Sequence, residues 1–139
     1  MTRRHHRRKA RHRRSLTASG CLKPHCWQFS FEEVAIALNM PVERIVKVYP
    51  RPHQIIVVFL NEKGGKCSSF FSYRLFGRWQ RETIGAIVSC RSEETFGPLV
   101  EIIQYELEHF QYPVEMADTI WDAVLNQISL VIKLSQKCA

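Results

Sequence analysis

The densest group of chemically active side chains in the sequence is RRHHRRKARHRR, at residues 3–14. A guanidinium group is planar, permanently charged and matched to phosphate geometry by paired hydrogen bonds. Clustered cations release counterions when they bind nucleic acid, which gives salt-dependent affinity without sequence preference. Anionic membranes and acidic proteins attract the same pattern. We expect contacts to the phosphates of DNA or RNA from Arg3, Arg4, Arg7, Arg8, Lys9, Arg11, Arg13 and Arg14.

A second basic group lies in the middle of the chain. Three arginines recur at i, i+4 and i+7, which places them on one side of a predicted helix: Arg74, Arg78 and Arg81. Lys63 and Lys66 flank a Gly-Gly pair nearby. These cations would extend the phosphate-contacting surface beyond residues 3–14. Alternatively, the arginines pair with Glu101 and Glu108 on the next predicted helix and only stabilise the fold.

Three aromatic residues follow the Gly-Gly pair closely, namely Phe70, Phe71 and Tyr73. On an exposed sheet face such rings stack on nucleic-acid bases. Aromatic residues in strands are more often part of the core, so burial is the more common outcome.

The sequence offers incomplete metal and catalytic motifs. CLKPHC brings together three soft ligands, Cys21, His25 and Cys26, but a tetrahedral zinc site needs a fourth and usually a second spaced pair. Glu106 and His109 have the spacing of half a carboxylate-bridged di-iron site, yet the motif does not recur. We interpret them as a solvated helix face. The sequence therefore predicts no metal, no cofactor and no enzymatic activity.

The net charge of +7 is unevenly distributed. The eight cations of residues 3–14 exceed it by one, so the remainder of the chain carries −1. Residues 40–91 have nine cations against three carboxylates, whereas residues 92–139 have two cations against eight carboxylates. A basic half can attract a polyanion, but the two halves can also attract each other. A body without net positive charge is unusual for a dedicated nucleic-acid-binding fold.

Residues 29–53 admit two interpretations. Ser30 is a typical helix N-cap, with Glu32 and Glu33 in the first turn, and predicts a short helix to about Asn39. The following residues 44–49 then form either a strand or the second helix of a helix-turn-helix at residues 30–49 followed by a hairpin wing. A helix-turn-helix needs a third helix, which residues 15–28 do not provide, so we favour the strand.

The strand interpretation also follows from QIIVVFL at residues 54–60, which is apolar on both faces and predicts a central strand covered above and below. Its neighbours would be residues 44–49 and residues 66–73. Three amphipathic segments follow, at residues 74–90, from Gly97-Pro98 to before Pro113, and at residues 114–134. We predict an α+β fold with a short N-terminal helix, a three-stranded antiparallel sheet and three C-terminal helices packed on it.

Residues 1–28 are predicted to be a disordered arginine-rich tail, and residues 29–139 a single compact α+β domain. Five cysteines, an odd number at irregular spacing, favour a reducing intracellular compartment, most simply the cytoplasm. The basic start is not followed by the apolar segment of a secretion signal, and no segment is apolar for long enough to span a membrane. Two alternatives for the N-terminal residues stay open: they could form an organelle transit peptide, or the mature protein could lack them.

Two functional hypotheses follow. The first is a non-catalytic protein that binds DNA or RNA without sequence specificity, through the tail and the basic helix. The second is a regulatory protein-protein interaction module, monomeric or homodimeric, in which acidic helices or a sheet edge bind the partner and the tail is incidental.

Overall fold

The computed structural model describes residues 14–137, in the order one helix, three strands and three helices. The helices are α1 (Phe31–Leu38), α2 (Gly77–Ser89), α3 (Glu93–His109) and α4 (Val114–Lys137). The strands are β1 (Ile45–Pro50), β2 (Ile55–Leu60) and β3 (Lys66–Phe71), paired antiparallel in the order β1-β2-β3. The α+β class predicted from the sequence, with its N-terminal helix, antiparallel sheet and C-terminal helices, is confirmed.

Helix α1 has the start and end that its sequence predicts. The Ser30 side chain accepts a hydrogen bond from the Glu33 N–H at 3.1 Å, and the two glutamates of the first turn favour the helix dipole. The helix ends at Asn39, whose φ of 52° is left-handed. Asparagine adopts this conformation more readily than most residues. Val34 and Ala35 are buried and anchor the helix to its surroundings.

Strand β1 decides between the two interpretations of residues 29–53. Ile45–Pro50 pairs with β2, and Lys47, Val48 and Tyr49 lie opposite Val58, Val57 and Ile56. The helix-turn-helix alternative is therefore wrong. The strand is favoured by its β-branched residues and by Pro50, which restricts Tyr49 to an extended conformation.

The two faces of the sheet differ in burial, which the sequence did not predict. On one face of β2, Ile55 and Val57 are completely buried. On the other face, Ile56 and Val58 are only half-buried. The expectation that the central strand is covered on both faces is thus wrong for the second face, although its side chains are equally apolar.

Two helix starts differ from the sequence predictions. Residues Tyr73–Leu75 form a separate 3₁₀ turn, so α2 begins at Gly77 and not at residue 74. Helix α3 begins at Glu93, where the Ser92 side chain accepts a hydrogen bond from the Thr95 N–H. Pro98 therefore lies inside α3 instead of starting it. Pro98 lies beyond the first turn of α3, so it removes the hydrogen bond that a residue at this position would regularly donate to the Glu94 carbonyl.

The described chain divides into two compact units, one of residues 14–22 with 80–137 and one of residues 23–79. A single domain over residues 29–139 stays a prediction. In the first unit Leu16 is buried, and its N–H donates a 2.8 Å hydrogen bond to Glu106 Oε1. In the second unit Pro24 is buried and Trp27 packs on other aromatic rings. The predicted disordered tail is therefore wrong for residues 14–28, because this segment supplies core side chains. Residues 1–13 lie outside the described part.

Glu106 also contradicts its sequence interpretation. It is completely buried, and its second oxygen, Oε2, accepts a 2.7 Å hydrogen bond from the Tyr112 hydroxyl. A buried carboxylate is stable only when hydrogen bonds replace its hydration. The Leu16 N–H and the Tyr112 hydroxyl supply such bonds, so this part of α3 is internal and not a solvated face.

Candidate nucleic-acid interface

The cations predicted at the N-terminus are largely beyond the described residues. Arg3, Arg4, Arg7, Arg8, Lys9, Arg11 and Arg13 lie outside residues 14–137. Arg14 is exposed and lines a groove of about 580 Å³ together with Glu101, Glu108 and His109. Carboxylates therefore line the same groove as Arg14. The proposed phosphate contacts of this group stay a prediction.

The arginine triplet in the middle of the chain does not form one helical face. Arg74 lies in the 3₁₀ turn before α2, and only 5% of its surface is exposed. Its guanidinium carbon is 4.8 Å from the centre of the Trp79 ring, within the range of a cation–π interaction. Arg81 is exposed on α2. Because Arg74 is buried, the first of the three predicted arginines is not available at the surface.

Arg78 is engaged inside the unit of residues 23–79. Its Nε lies 3.0 Å from Glu33 Oε1, and its Nη1 donates a 2.7 Å hydrogen bond to the Gln28 carbonyl. The guanidinium carbon also lies 5.1 Å from the centre of the Phe29 ring. The alternative sequence interpretation predicted ion pairs between this arginine and Glu101 or Glu108, whereas its partner is Glu33. The Glu33 pair instead joins the start of α2 to α1.

The two lysines predicted to contact phosphate differ from the arginines, because they lie at the exposed hairpin between β2 and β3. Lys63 and Lys66 are both exposed. The Asn61 side chain accepts hydrogen bonds of 2.9 Å from the N–H groups of Lys63 and Gly65, which fixes the turn. Gly64 has a φ of 82°, which glycine adopts without strain. The turn therefore holds both lysines at one end of the sheet.

The pairing of the strands brings further residues onto the face that carries Lys66. Residues directly opposite each other in an antiparallel sheet lie on the same face. One row across the sheet is Tyr49, Ile56 and Phe70, and the next is Lys47, Val58 and Ser68. Lys66 pairs with Leu60 in the third row. We call this surface the aromatic–lysine face, and define it as Lys47, Tyr49, Ile56, Val58, Lys66, Ser68 and Phe70.

The two aromatic rings of this face are open to solvent. Phe70 is 62% exposed and Tyr49 is 41% exposed. They stand on the outer strands with Ile56 between them, so their backbones are about 9 to 10 Å apart, twice the usual strand spacing. Of the three aromatics singled out in the sequence, only Phe70 is exposed in this way. Phe71 belongs to the opposite face, where its ring is 6.3 Å from that of Phe59, and Tyr73 is buried.

Tyr73 holds the loop that follows β1. Its hydroxyl accepts a 2.9 Å hydrogen bond from the Arg51 N–H and donates a 2.6 Å bond to the Arg51 carbonyl. Burial raises the pKa of Tyr73 to about 12, although the backbone hydrogen bond opposes this shift. The hydroxyl is therefore neutral at physiological pH and can donate. This double contact fixes the end of β1 next to Tyr49.

Sequence reasoning missed Lys47 and Tyr49 as site residues. The signal that could have identified them is their i, i+2 spacing, since alternate residues of a strand share a face. Once β1 is a strand, the lysine and the tyrosine must lie on the same side.

Other site types find little support within residues 14–137. No group of three or more histidine, cysteine or acidic side chains is arranged to hold a metal ion in this part of the chain. None of the described helices is long and apolar enough to cross a membrane. Comparisons with protein-family models, curated proteins and solved structures find no match, so function is inferred from the site itself.

Proposed function

We propose that the protein binds nucleic acid through its phosphates and performs no reaction on it. One observation carries this proposal. The three described strands contain two charged residues, Lys47 and Lys66, and both are exposed on the same face. A sheet surface with cations and no carboxylate attracts a polyanion without competition from internal ion pairs.

The charge of the surrounding residues supports the same assignment. Residues 23–79 contain eight cations and four carboxylates, a net charge of +4. The N-terminal cations would add to this attraction. The binding surface proposed here differs from the sequence hypothesis in one respect. Because Arg74 and Arg78 are engaged internally, which leaves Arg81 as the exposed member of the predicted stripe, we assign the binding surface to the sheet and not to α2.

A salt titration of binding tests the proposal. Each phosphate contact contributes about −0.9 to the log–log salt slope on duplex DNA and about −0.7 on single strands. We expect deletion of residues 1–13 to weaken binding and flatten the slope. The double variant Lys47→Gln/Lys66→Gln should reduce the slope on single strands by about 1.4, which corresponds to two lost contacts.

The matched control is Lys133→Gln/Lys137→Gln, which removes two exposed lysines from α4. This variant has the same net charge as the sheet variant. Equal effects of the two double variants would mean that only total charge matters, and the sheet would lose its assigned role. Full-length protein that shows no salt-dependent binding to either duplex DNA or single-stranded RNA at low ionic strength would contradict the proposal.

A second candidate function, homodimeric protein interaction, is favoured by α4. Leu125 and Ile132 are 48% and 45% exposed, and half-buried Trp121 and Ile128 complete their stripe at coiled-coil spacing. Dimerisation should appear in sedimentation equilibrium as a doubling of mass that Leu125→Lys abolishes. A monomer at every accessible concentration would remove this candidate.

The compartment belongs to the proposal as well. Cys21, Cys26, Cys67 and Cys90 are free thiols. Free exposed thiols persist in reducing surroundings, which supports a cytoplasmic or other intracellular location.

A further inference from the structure

The exposed rings of the aromatic–lysine face have no obvious role in the fold. Phe70 leaves 62% of its surface in water, although Ile55 and Val57 on the covered face of the same sheet are completely buried. Exposed aromatic surface carries a cost in free energy that burial would remove. Such a surface is typical of a binding site when polar or charged groups border it. The bordering charges here are Lys47 and Lys66.

We infer that this face binds single-stranded nucleic acid by stacking unpaired bases on Phe70 and Tyr49. The inference rests on the proposed function and specifies its ligand. Base–aromatic stacking is tolerant of sequence, because every base has a π-face. Bases within a duplex are already stacked on each other and present only their edges in the grooves. A flat row of rings therefore selects strands whose bases are free.

The lysines are positioned to contact the backbone of such a strand. Lys47 is two residues from Tyr49 along β1, a separation of about 7 Å at the usual strand rise. Lys66 lies on the same face towards the other end of β3. Ser68, which lies on β3 between Lys66 and Phe70, offers an exposed hydroxyl for hydrogen bonding. The rings stand in one row, Lys47 in the next and Lys66 in the third, so both cations lie on the same side of the rings, where the backbone of a strand stacked on them can run.

Charge distinguishes this ligand from a protein that would cover the same apolar surface. The nearest carboxylates in sequence, Glu43 and Glu62, lie outside the strands. The strands themselves therefore contribute two cations and no carboxylate to this face. An anionic ligand with planar aromatic groups complements both features at once, and single-stranded nucleic acid has this chemistry in every residue.

The test uses full-length protein and three probes of equal length, namely oligouridylate, oligothymidylate and duplex DNA. We expect Phe70→Ala and Tyr49→Ala to weaken single-strand binding roughly 5- to 100-fold each, from the usual strength of one base–aromatic stack. Duplex binding, which depends on phosphate contacts, should change less than about twofold. The uridylate and thymidylate arms show whether the 2′-hydroxyl contributes.

Two substitutions at the same position separate stacking from general apolar contact. Phe70→Tyr keeps the ring and should bind single strands like the natural protein. Phe70→Leu keeps apolar area without a π-face and should bind as weakly as Phe70→Ala. The control Phe31→Ala removes another exposed ring, on α1, and should have no effect on binding. Thermal denaturation of each variant verifies that the fold is intact.

Each result has a defined meaning. Single-strand binding that is unchanged in Phe70→Ala, or retained in Phe70→Leu, overturns the stacking inference while leaving salt-dependent nucleic-acid binding in place. Loss of duplex and single-strand binding by equal factors also overturns it, because the face would then lack selectivity. Absence of binding to all three probes by the natural protein overturns the proposed function itself, and the inference with it.

Discussion

Two groups of aromatic side chains in residues 23–79 combine rings with cations in opposite ways. The first is an internal cluster whose ring centres lie 5.1 to 6.4 Å apart, formed by Trp27, Phe29, Tyr73, Phe76 and Trp79. Arg74 and Arg78 lie over its rings. The second is the pair Tyr49 and Phe70, which shares an open sheet face with two lysines.

The difference follows from the two kinds of cation. A guanidinium is weakly hydrated and planar, so it can stack on a ring inside the protein and still make directed hydrogen bonds, as Arg78 does with Glu33 and Gln28. A lysine ammonium is strongly hydrated and stays in water. Rings beside arginine thus pack within the fold, whereas the rings beside lysine stay open to solvent, where we propose that a ligand binds.

The largest contrast between the two groups should be in stability. Trp79 is completely buried, so Trp79→Ala removes a large core side chain and should lower the free energy of unfolding by about 3–5 kcal/mol. Phe70→Ala, on the open face, should lower it by less than about 1 kcal/mol. Urea denaturation followed by circular dichroism measures both. Similar losses for the two variants would show that Phe70 is part of the core.

The two tyrosines, buried Tyr73 and exposed Tyr49, allow a more closely matched comparison with smaller expected effects on stability. Tyr73→Phe removes both hydrogen bonds to Arg51 and should cost about 1–3 kcal/mol of unfolding free energy, because each intramolecular hydrogen bond contributes about 0.5–1.5 kcal/mol. Tyr49→Phe removes a hydroxyl from a ring that is open to solvent and should cost almost nothing. An equal, small effect of both would mean that the Arg51 contact does not hold the loop.

The same tyrosine pair has a predictable dependence on pH. The pKa of Tyr73 is about 12 in the folded protein and 10.0 is its ordinary value. Between these values the folded state retains a proton that the unfolded state has lost, so stability falls as pH rises. The advantage of the natural protein over Tyr73→Phe should therefore be complete below pH 10 and shrink above it. Tyr49→Phe should show no such trend.

The smallest expected change in stability concerns Arg78, which the sequence analysis predicted to contact phosphate. Arg78→Gln breaks the ion pair with Glu33 and should lower stability by about 1 kcal/mol, since the pair is partly exposed. Nucleic-acid affinity and its salt slope should not change, because the guanidinium is already engaged. Arg81→Gln is the comparison, with a cation that is exposed on the same helix. A flatter salt slope in Arg78→Gln would return this arginine to the binding surface.

The regular elements were predictable where local signals agreed. Ser30 and Asn39 marked the ends of α1, and Pro50 favoured β1 as a strand over a recognition helix. The start of α3 was not predicted. Two helix-start signals compete in this segment, Ser92 and Gly97-Pro98, and the proline signal is the stronger one in the sequence. The cap at Ser92, followed by two glutamates, was the weaker but correct indication.

Long-range packing explains the other differences. Nothing near Glu106 in the sequence indicates that its carboxylate is buried, because one of its hydrogen-bond donors is 90 residues away, at Leu16. Leu16 itself is an isolated apolar residue after a basic run, without a periodic pattern. The candidate site was likewise only partly predictable. Lys66 and Phe70 were identified from residue type, but strand register was needed to place Lys47 and Tyr49 beside them.

The hydrogen bond from Leu16 to Glu106 also has a consequence for the order of events during synthesis. A ribosome adds about 5–20 residues per second, so the acceptor follows its donor by roughly 5 to 18 s. All of residues 23–79 are made within that interval. The unit that carries the sheet can thus be complete on the nascent chain while Leu16 still waits for Glu106. The N-terminal segment is translated first, yet its hydrogen bond to α3 cannot form until Glu106 has been made.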